Sequence, residues 1–291
     1  MKKCADHRRR TTNPCSHSPF PPFPLSPLQL SPFATSCACN RLRHNYAVRV
    51  IALYNIKGGV GKTAAAVNLA YLSARDDRPT LLWDLDPQGA ASYCLQIAPK
   101  VKGGRKALLE GKSALAKLIR PTAYDNLELL PADFSYRNMD LGLNEKKRPE
   151  KQFRKLLDPL EEHYHTIFLD CPPGLTLTTE SMFAAADLLV VPVIPGALSL
   201  RTLSLIDDFL AREELTHLKT LAFYSMVDRR KTLHRQLVDA RHDGRFLFTT
   251  IPYASDVERM AERRAPVAEF APRSAAAGAY EALWGEIEES Y

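Results

Sequence analysis

The sequence predicts an α/β protein: a single doubly wound, mostly parallel sheet with helices on both faces. Three observations predict it. From residue 48 onward, apolar runs alternate with segments of helical apolar spacing. A glycine-rich turn joins the first run to the first helical segment. The remaining carboxylate motifs fall just beyond later runs, where ligands bind in such sheets.

The first run, Val50–Tyr54, is apolar and β-branched. Further strands are expected at Thr80–Trp83, Leu127–Leu130, Thr166–Leu169, Leu188–Val193, Thr220–Met226 and Leu247–Thr250. Helices fall between them, including Thr63–Ala74, Lys151–Leu157, Leu198–Ala211, Lys231–Ala240 and Ala275–Glu289. No internal repeat and no linker interrupts this order.

Between the first strand and first helix lies Lys57-Gly58-Gly59-Val60-Gly61-Lys62-Thr63. Such a turn aims several backbone N–H groups at one point, and the helix N-terminus adds partial positive charge. Lys62 suits the β- and γ-phosphates of a nucleotide, and the Thr63 hydroxyl suits Mg²⁺. An ordinary loop of this kind needs only Lys62. The second cation, Lys57, points to a further demand, such as a phosphate held by another subunit.

After the second strand comes Asp84-Leu85-Asp86-Pro87-Gln88-Gly89. Two carboxylates at this spacing are expected to point the same way, one toward a Mg²⁺-bound water and one orienting an attacking water. The same string also reads as a helix-capping turn; its place one strand after the phosphate loop favours the catalytic reading. The fourth strand ends in Asp170-Cys171-Pro172-Pro173-Gly174. A strand-end acid is the usual contact to the Mg²⁺ shell, and the rigid turn behind it suits sensing of the γ-phosphate.

Composition bounds the rest. The 291 residues are 45% hydrophobic and 25% charged, enough for a sizeable core. No apolar run approaches the roughly 20 residues that span a bilayer. The net charge of +6 sits wholly in residues 1–47, which hold seven basic residues and one acid; the remainder holds 32 of each sign. The charge is therefore no argument that residues 48–291 bind nucleic acid; local clusters must carry that. One is Arg229, Arg230, Lys231, Arg235, Arg241 and Arg245, with Asp239 and Asp243 inside it; a second is Arg259, Arg263 and Arg264, diluted by Glu258 and Glu262. A solvated helix face is the plainer reading of each.

Four of six cysteines also lie in residues 1–47, leaving Cys94 and Cys171 with no CxxC pair, so neither a disulfide framework nor a zinc site is expected. Seven prolines between Pro14 and Pro32 exclude a helix or central strand there. Residues 1–47 read as a disordered Pro-rich tail, or as upstream sequence joined by a wrong start choice. A transit peptide fits less well, for lack of an amphipathic helix.

Together, Lys57–Thr63, Asp84–Gly89 and Leu169–Pro173 resemble the ParA/MinD family of deviant Walker-type partition ATPases. Val191-Pro192-Val193-Ile194-Pro195, Leu198-Ser199-Leu200-Arg201, Met226-Val227-Asp228-Arg229-Arg230 and Ile251-Pro252 extend the resemblance, in order, over about residues 49–290. The chain is most similar to small ParA proteins. The resemblance implies the P-loop NTPase fold, with ATP and Mg²⁺ as cofactors. ATP would close two protomers face to face as a homodimer, Lys57 crossing to the partner's phosphates. Gly58, Gly59, Val60, Gly61, Lys62, Thr63 and Ala64 would hold the phosphates. Thr63, Asp84 and Asp170 would support the metal, and Asp86 would position the attacking water. Met226, Asp228 and Pro252 would surround the base. Arg229, Arg230, Lys231, Arg235, Arg259 and Arg263 would bind DNA without sequence preference, and a ParB-like activator would stimulate hydrolysis. One departure stands out: Ala64 replaces the family's second hydroxyl residue, which implies weaker nucleotide binding.

A chromosome, a plasmid or a protein cargo all fit this cycle, as does, less well, a MinD-like regulator of the division site. MinD-type relatives end in a basic amphipathic helix; this chain ends in the acidic run Glu281–Tyr291, which an anionic membrane repels. The resemblance thus implies a cytoplasmic, nucleoid-associated protein. A cluster-bridging iron protein of the same fold would need two suitable cysteines per protomer, and a catalytically dead scaffold would not keep Lys62, Thr63, Asp86 and Asp170.

The phosphate loop, the carboxylates and both basic clusters lie beyond residue 47. A chain beginning at Val48 is therefore expected to retain ATP hydrolysis and ATP-dependent DNA binding, read by phosphate release and mobility shift. Loss of DNA binding on truncation, with full-length binding indifferent to nucleotide, would assign that activity to the tail.

Overall fold

The computed structural model describes residues 48–109, 115–240 and 244–290. The expectations for residues 1–47, and for Arg241 and Asp243, lie outside the described residues.

Eight strands form one sheet: β1 Arg49–Leu53, β2 Thr80–Asp84, β3 Arg120–Pro121, β4 Leu127–Leu130, β5 Thr166–Asp170, β6 Leu188–Val193, β7 Lys219–Val227 and β8 Phe246–Pro252. Their order is β3-β4-β2-β5-β1-β6-β7-β8. Every neighbouring pair is parallel except β3 with β4. The chain winds from β1 toward β2 on one side and later toward β6 on the other. The order reverses beside β1, and the crevice above that point is where such sheets hold ligands.

The two faces bury separate apolar layers, as the period-two alternation of a strand requires. Val50, Ala52 and Tyr54 face one layer; Ile51 and Leu53 face the other. The first layer holds Trp83 against Phe153 (ring centroids 5.3 Å apart) and Tyr54 edge-on to Phe183 (4.8 Å). The second packs helices Lys62–Arg75 and Ala275–Glu289 on the sheet, with Trp284 against Phe168 at 5.8 Å. Asn68, buried in the first of these helices, accepts from Val267 N (2.8 Å) and donates to Met260 Sδ (3.2 Å), locking the segment before the last helix onto the first.

All seven expected strands are present with ends shifted by a residue or two. β3 was not anticipated: it is two exposed residues with Pro121 at the sheet edge, too short for any pattern. Ala275–Glu289 has the expected bounds, and Lys62–Arg75 and Ala197–Arg212 extend one residue beyond expectation at each end. Lys151–Leu157 divides into a 3₁₀ turn, Pro149–Lys151, and a helix, Gln152–Leu157. Helices Ala90–Cys94, Gly104–Leu109 and Met139–Asn144 were missed, each being under two turns long.

β8 is irregular. Ala222 pairs with Phe246 but Tyr224 with Thr250, so β8 carries two extra residues in that interval. The N–H groups of Phe248 and Thr249 in this bulge both donate to the Glu286 carboxylate on the last helix. No described helix is long and apolar enough to cross a membrane.

Candidate functional site

The phosphate loop leaves β1 under tension from one buried side chain. Asn55 donates through Nδ2 to Pro192 O (2.8 Å) at the end of β6 and accepts from Lys57 N (2.9 Å) through Oδ1. The loop start is thereby fixed to two strands. Sequence reading missed Asn55; its signal was a lone amide directly after an apolar strand. Gly61 has φ +94° and caps the helix Lys62–Arg75. A Cβ there would lie 2.9 Å from Ser225 Oγ, so both conformation and space demand glycine. No side chain caps this helix and no acid occupies its first turn, which leaves its N-terminal N–H groups for an anion.

The two lysines occupy unlike settings. Lys62 is buried and its Nζ donates to Lys57 O at 3.2 Å. Burial lowers its pKa, and the nearby Asp170, Asp86 and Cys171 oppose that. Lys57 is exposed, with no side-chain partner among the described residues. Ala64 accepts at its carbonyl from Asn68 Nδ2 (2.7 Å) and presents only its backbone N–H toward the loop side.

The carboxylates are set by register. Asp84 and Asp170 are the last residues of β2 and β5 and stand opposite one another; Asp170 also stands opposite Leu53 of β1. Both are fully buried. Asp84 Oδ2 accepts from Ser92 N and Ser92 Oγ, both at 2.7 Å, while Oδ1 has no partner. Neither oxygen of Asp170 has a hydrogen bond of full geometry, though the Thr63 hydroxyl is near enough to ease its charge. Burial pushes Asp84 up to about 6 and raises Asp170 well above the usual carboxylate range, the neighbouring Asp84 adding to it.

Asp84 thus ends the strand rather than following it, and Asp86 lies just beyond, close enough to raise the carboxyls of both Asp84 and Asp170. The half-buried Asp86 accepts from Gln88 N (2.9 Å) at Oδ1 and from Gly89 N (2.9 Å) at its carbonyl. The capping turn and the strand-end acid coexist, one per carboxylate. Ser92, which anchors Asp84, was not legible in the sequence.

Three partnerless carboxylate oxygens in a dry site are costly unless a cation meets them. The donors are hard oxygens, which suit Mg²⁺. Among the described residues no three His, Cys, Asp or Glu side chains form a closed cage. That fits an ion that keeps waters and shares substrate phosphates.

Of the residues expected around the base, Met226 lies beside the loop. Met226 Cε is 3.8 Å from where a Gly61 Cβ would stand, and Met226 itself adopts φ +55°. Pro252 stands opposite Val227, and Tyr253 N donates to Val227 O. Asp228 is engaged: both its oxygens accept from Arg230 (2.9 and 3.0 Å), which holds its carboxyl down at about 2.

The expected basic clusters are partly neutralised. Arg230 is committed to Asp228, Arg259 to Asp256 at 3.3 Å and Arg245 to Asp207. Arg235 donates to Arg229 O (2.8 Å) and Thr232 Oγ1 (3.2 Å). Arg264 lies over the Tyr93 ring at 4.7 Å. Arg229, Lys231 and Arg263 remain exposed and in no ion pair. Cys94 and Cys171 are buried free thiols.

A family model described as an AAA domain matches residues 48–221. The chromosome partitioning protein ParA of Myxococcus xanthus is 38% identical over 146 residues, half of this chain and 52% of that protein. The chromosome-partitioning ATPase Soj of Treponema pallidum is 30% identical over 82% of this chain and 96% of its own length. Among solved structures, cobyrinic acid a,c-diamide synthase of Mycobacterium smegmatis, with a bound ATP analog and magnesium, matches with a TM-score of 0.72 at 24% identity, covering 83% of this chain and 94% of that one. A putative plasmid partition protein of Borrelia burgdorferi bound to AMPPNP matches with a TM-score of 0.72 at 22% identity, covering 84% and 100%. At these identities the two structures speak for the fold alone.

The buried Asp84 makes stability depend on pH. Its carboxyl holds a proton more tightly when folded than its ordinary value near 3.8 allows, so its own contribution to stability is greatest at low pH and falls as pH rises toward about 6. Asp84→Asn removes that penalty and keeps an acceptor for Ser92. In cation-free buffer at pH 7.5 it is expected to stabilise the protein by about 3 kcal/mol. The advantage should shrink to nothing near pH 4, as thermal unfolding across pH will show.

Proposed function

From the premise that the chain belongs to the ParA/Soj family of chromosome-partitioning ATPases, we propose that it is an ATP-dependent, dimerising partition ATPase that binds DNA without sequence preference and segregates chromosome or plasmid DNA with a ParB-like partner. The observation that carries this reading is the juxtaposition of an uncapped helix N-terminus, a buried lysine and three partnerless carboxylate oxygens at the ends of adjacent strands.

ATP is the substrate. The backbone N–H groups of Gly58 to Ala64 cradle its phosphates and Lys62 neutralises the β- and γ-groups. Thr63, Asp84 and Asp170 hold Mg²⁺, which supplies positive charge to the phosphate oxygens. Asp86, outside the dry carboxylate pair, orients the water for in-line attack. Its partly exposed turn gives that water access. Lys57 points into solvent because its phosphates belong to a second copy of the chain, so hydrolysis waits on dimerisation. Met226, Asp228 and Pro252 border the base. The exposed Arg229, Lys231 and Arg263 contribute DNA contacts, with Arg230, Arg235 and Arg259 joining them when released from their internal partners. The place of action is the cytoplasm, on the nucleoid.

Lys57→Ala is expected to bind ATP with an affinity within a few-fold of wild type yet fail to dimerise, with hydrolysis reduced at least tenfold. Light scattering with ATP and Mg²⁺ reads the dimer; a mutant that still dimerises would remove the cross-subunit role. Asp86→Ala is expected to bind ATP and dimerise but to turn over at least tenfold more slowly, leaving a long-lived DNA-bound form. Turnover equal to wild type would assign the water to another group.

A further inference from the structure

A second concentration of cations lies outside the sequence clusters near residues 229–264. Residues 100–109 hold four basic residues and no acid, and residues 146–155 hold six with Glu150 as the one acid. The fold brings these distant segments together. Helix Met139–Asn144 crosses helix Gly104–Leu109 so closely that a Cβ at Gly142 would lie 2.5 Å from Arg105 Nη1 and 2.7 Å from Leu109 Cδ1. Lys146 Nζ then donates to Leu109 O at 3.3 Å, and Gln152 Nε2 donates to Lys147 O and Arg148 O, each at 3.1 Å. Lys102, Lys106, Lys147, Arg148 and Lys151 are exposed and Arg105 is half-buried. None of the six is in an ion pair among the described residues; in the expected clusters the same holds for five, Arg229, Lys231, Arg235, Arg263 and Arg264.

We propose that Lys102, Arg105, Lys106, Lys147, Arg148 and Lys151 form a second polyanion-binding face whose partner is the phosphate backbone of duplex DNA. The proposal rests on the reading that the ATP-bound chain binds DNA. Residues 48–291 have no net charge, so a face with this excess is a local concentration with its counter-charge elsewhere. Its cations stand on a scaffold of short helices braced by the Gly142 crossing and the Lys146 and Gln152 hydrogen bonds. The exposed Phe134 beside it carries the Arg137 guanidinium over its ring at 4.0 Å. That guanidinium adds a cation beside the six, so charge rather than apolar area dominates the face.

The test compares two charge-reversal sets in the full chain with ATP and Mg²⁺: Lys106→Glu with Lys147→Glu and Lys151→Glu, and Arg229→Glu with Lys231→Glu and Arg263→Glu. Binding to random-sequence duplex is followed from low to moderate salt, and a fluorescent ATP analogue checks that the nucleotide site is intact. The first set is expected to lower DNA affinity at least tenfold and to reduce the log–log salt slope by about 3, one phosphate per cation removed. The Gln versions should give the same slope change, which guards against misfolding by charge reversal. If the first set leaves affinity and slope unchanged while the second abolishes binding, the face is not a DNA surface and the partition reading survives. If wild type binds no duplex with ATP, the DNA reading fails and this proposal with it. Patch-dependent sedimentation with phosphatidylglycerol vesicles, without patch-dependent DNA binding, would overturn the choice of partner in favour of a membrane.

Discussion

Two carboxylates are buried side by side at the ends of β2 and β5, in a sheet whose other inward positions are almost all apolar. The rest of the site is arranged around that cost. Register forces Asp84 opposite Asp170, and β1 delivers the phosphate loop next to them. Ser92 relieves one oxygen of four, and the other three are left for a cation. A protein folding for stability alone would not keep this arrangement, since an apolar pair would pack as well. The strain is held in place by a wide, doubly covered sheet, as sites that store unfavourable charge require.

The same sheet explains the precision of the loop. β1 is central, so Asn55 can reach across to β6 while Cys171 N donates back to Leu53 O. The loop is clamped at one end by strands and at the other by a helix whose Asn68 grips the C-terminal segment. The helix that follows the loop thus holds residues 260 and 267, on either side of Arg263, through one buried amide. A loop tethered only to its neighbours in sequence would have no such connection.

Much of this was legible in the sequence, for physical reasons that differ by element. Strands buried on both faces read as unbroken apolar runs, so their positions emerged within a residue or two. The phosphate loop read clearly because it is local: seven consecutive residues carry the whole device. Legibility failed where function is assembled from afar. Ser92 and Asn55 are ordinary polar residues until the fold aims them. The short helices between residues 90 and 157 have too few turns to show a period. Charge clusters show the same limit: Arg230 counts as a cation in the sequence, yet Asp228 two residues earlier pairs with it in space. The cationic face at residues 102–151 is two segments that become one only through the close crossing at Gly142.

The bulge in β8 has a consequence for self-association. β8 is the last strand of an open sheet, and an open edge invites another chain to add a strand there. Glu286 occupies the two N–H groups that the bulge turns outward. Glu286 on the last helix therefore takes up backbone donors that an edge strand would otherwise offer. For a protein whose proposed cycle depends on one reversible dimer at the nucleotide face, closing the opposite route matters. Two fewer free donors at the β8 edge make edge-to-edge pairing a weaker competitor to face-to-face closure.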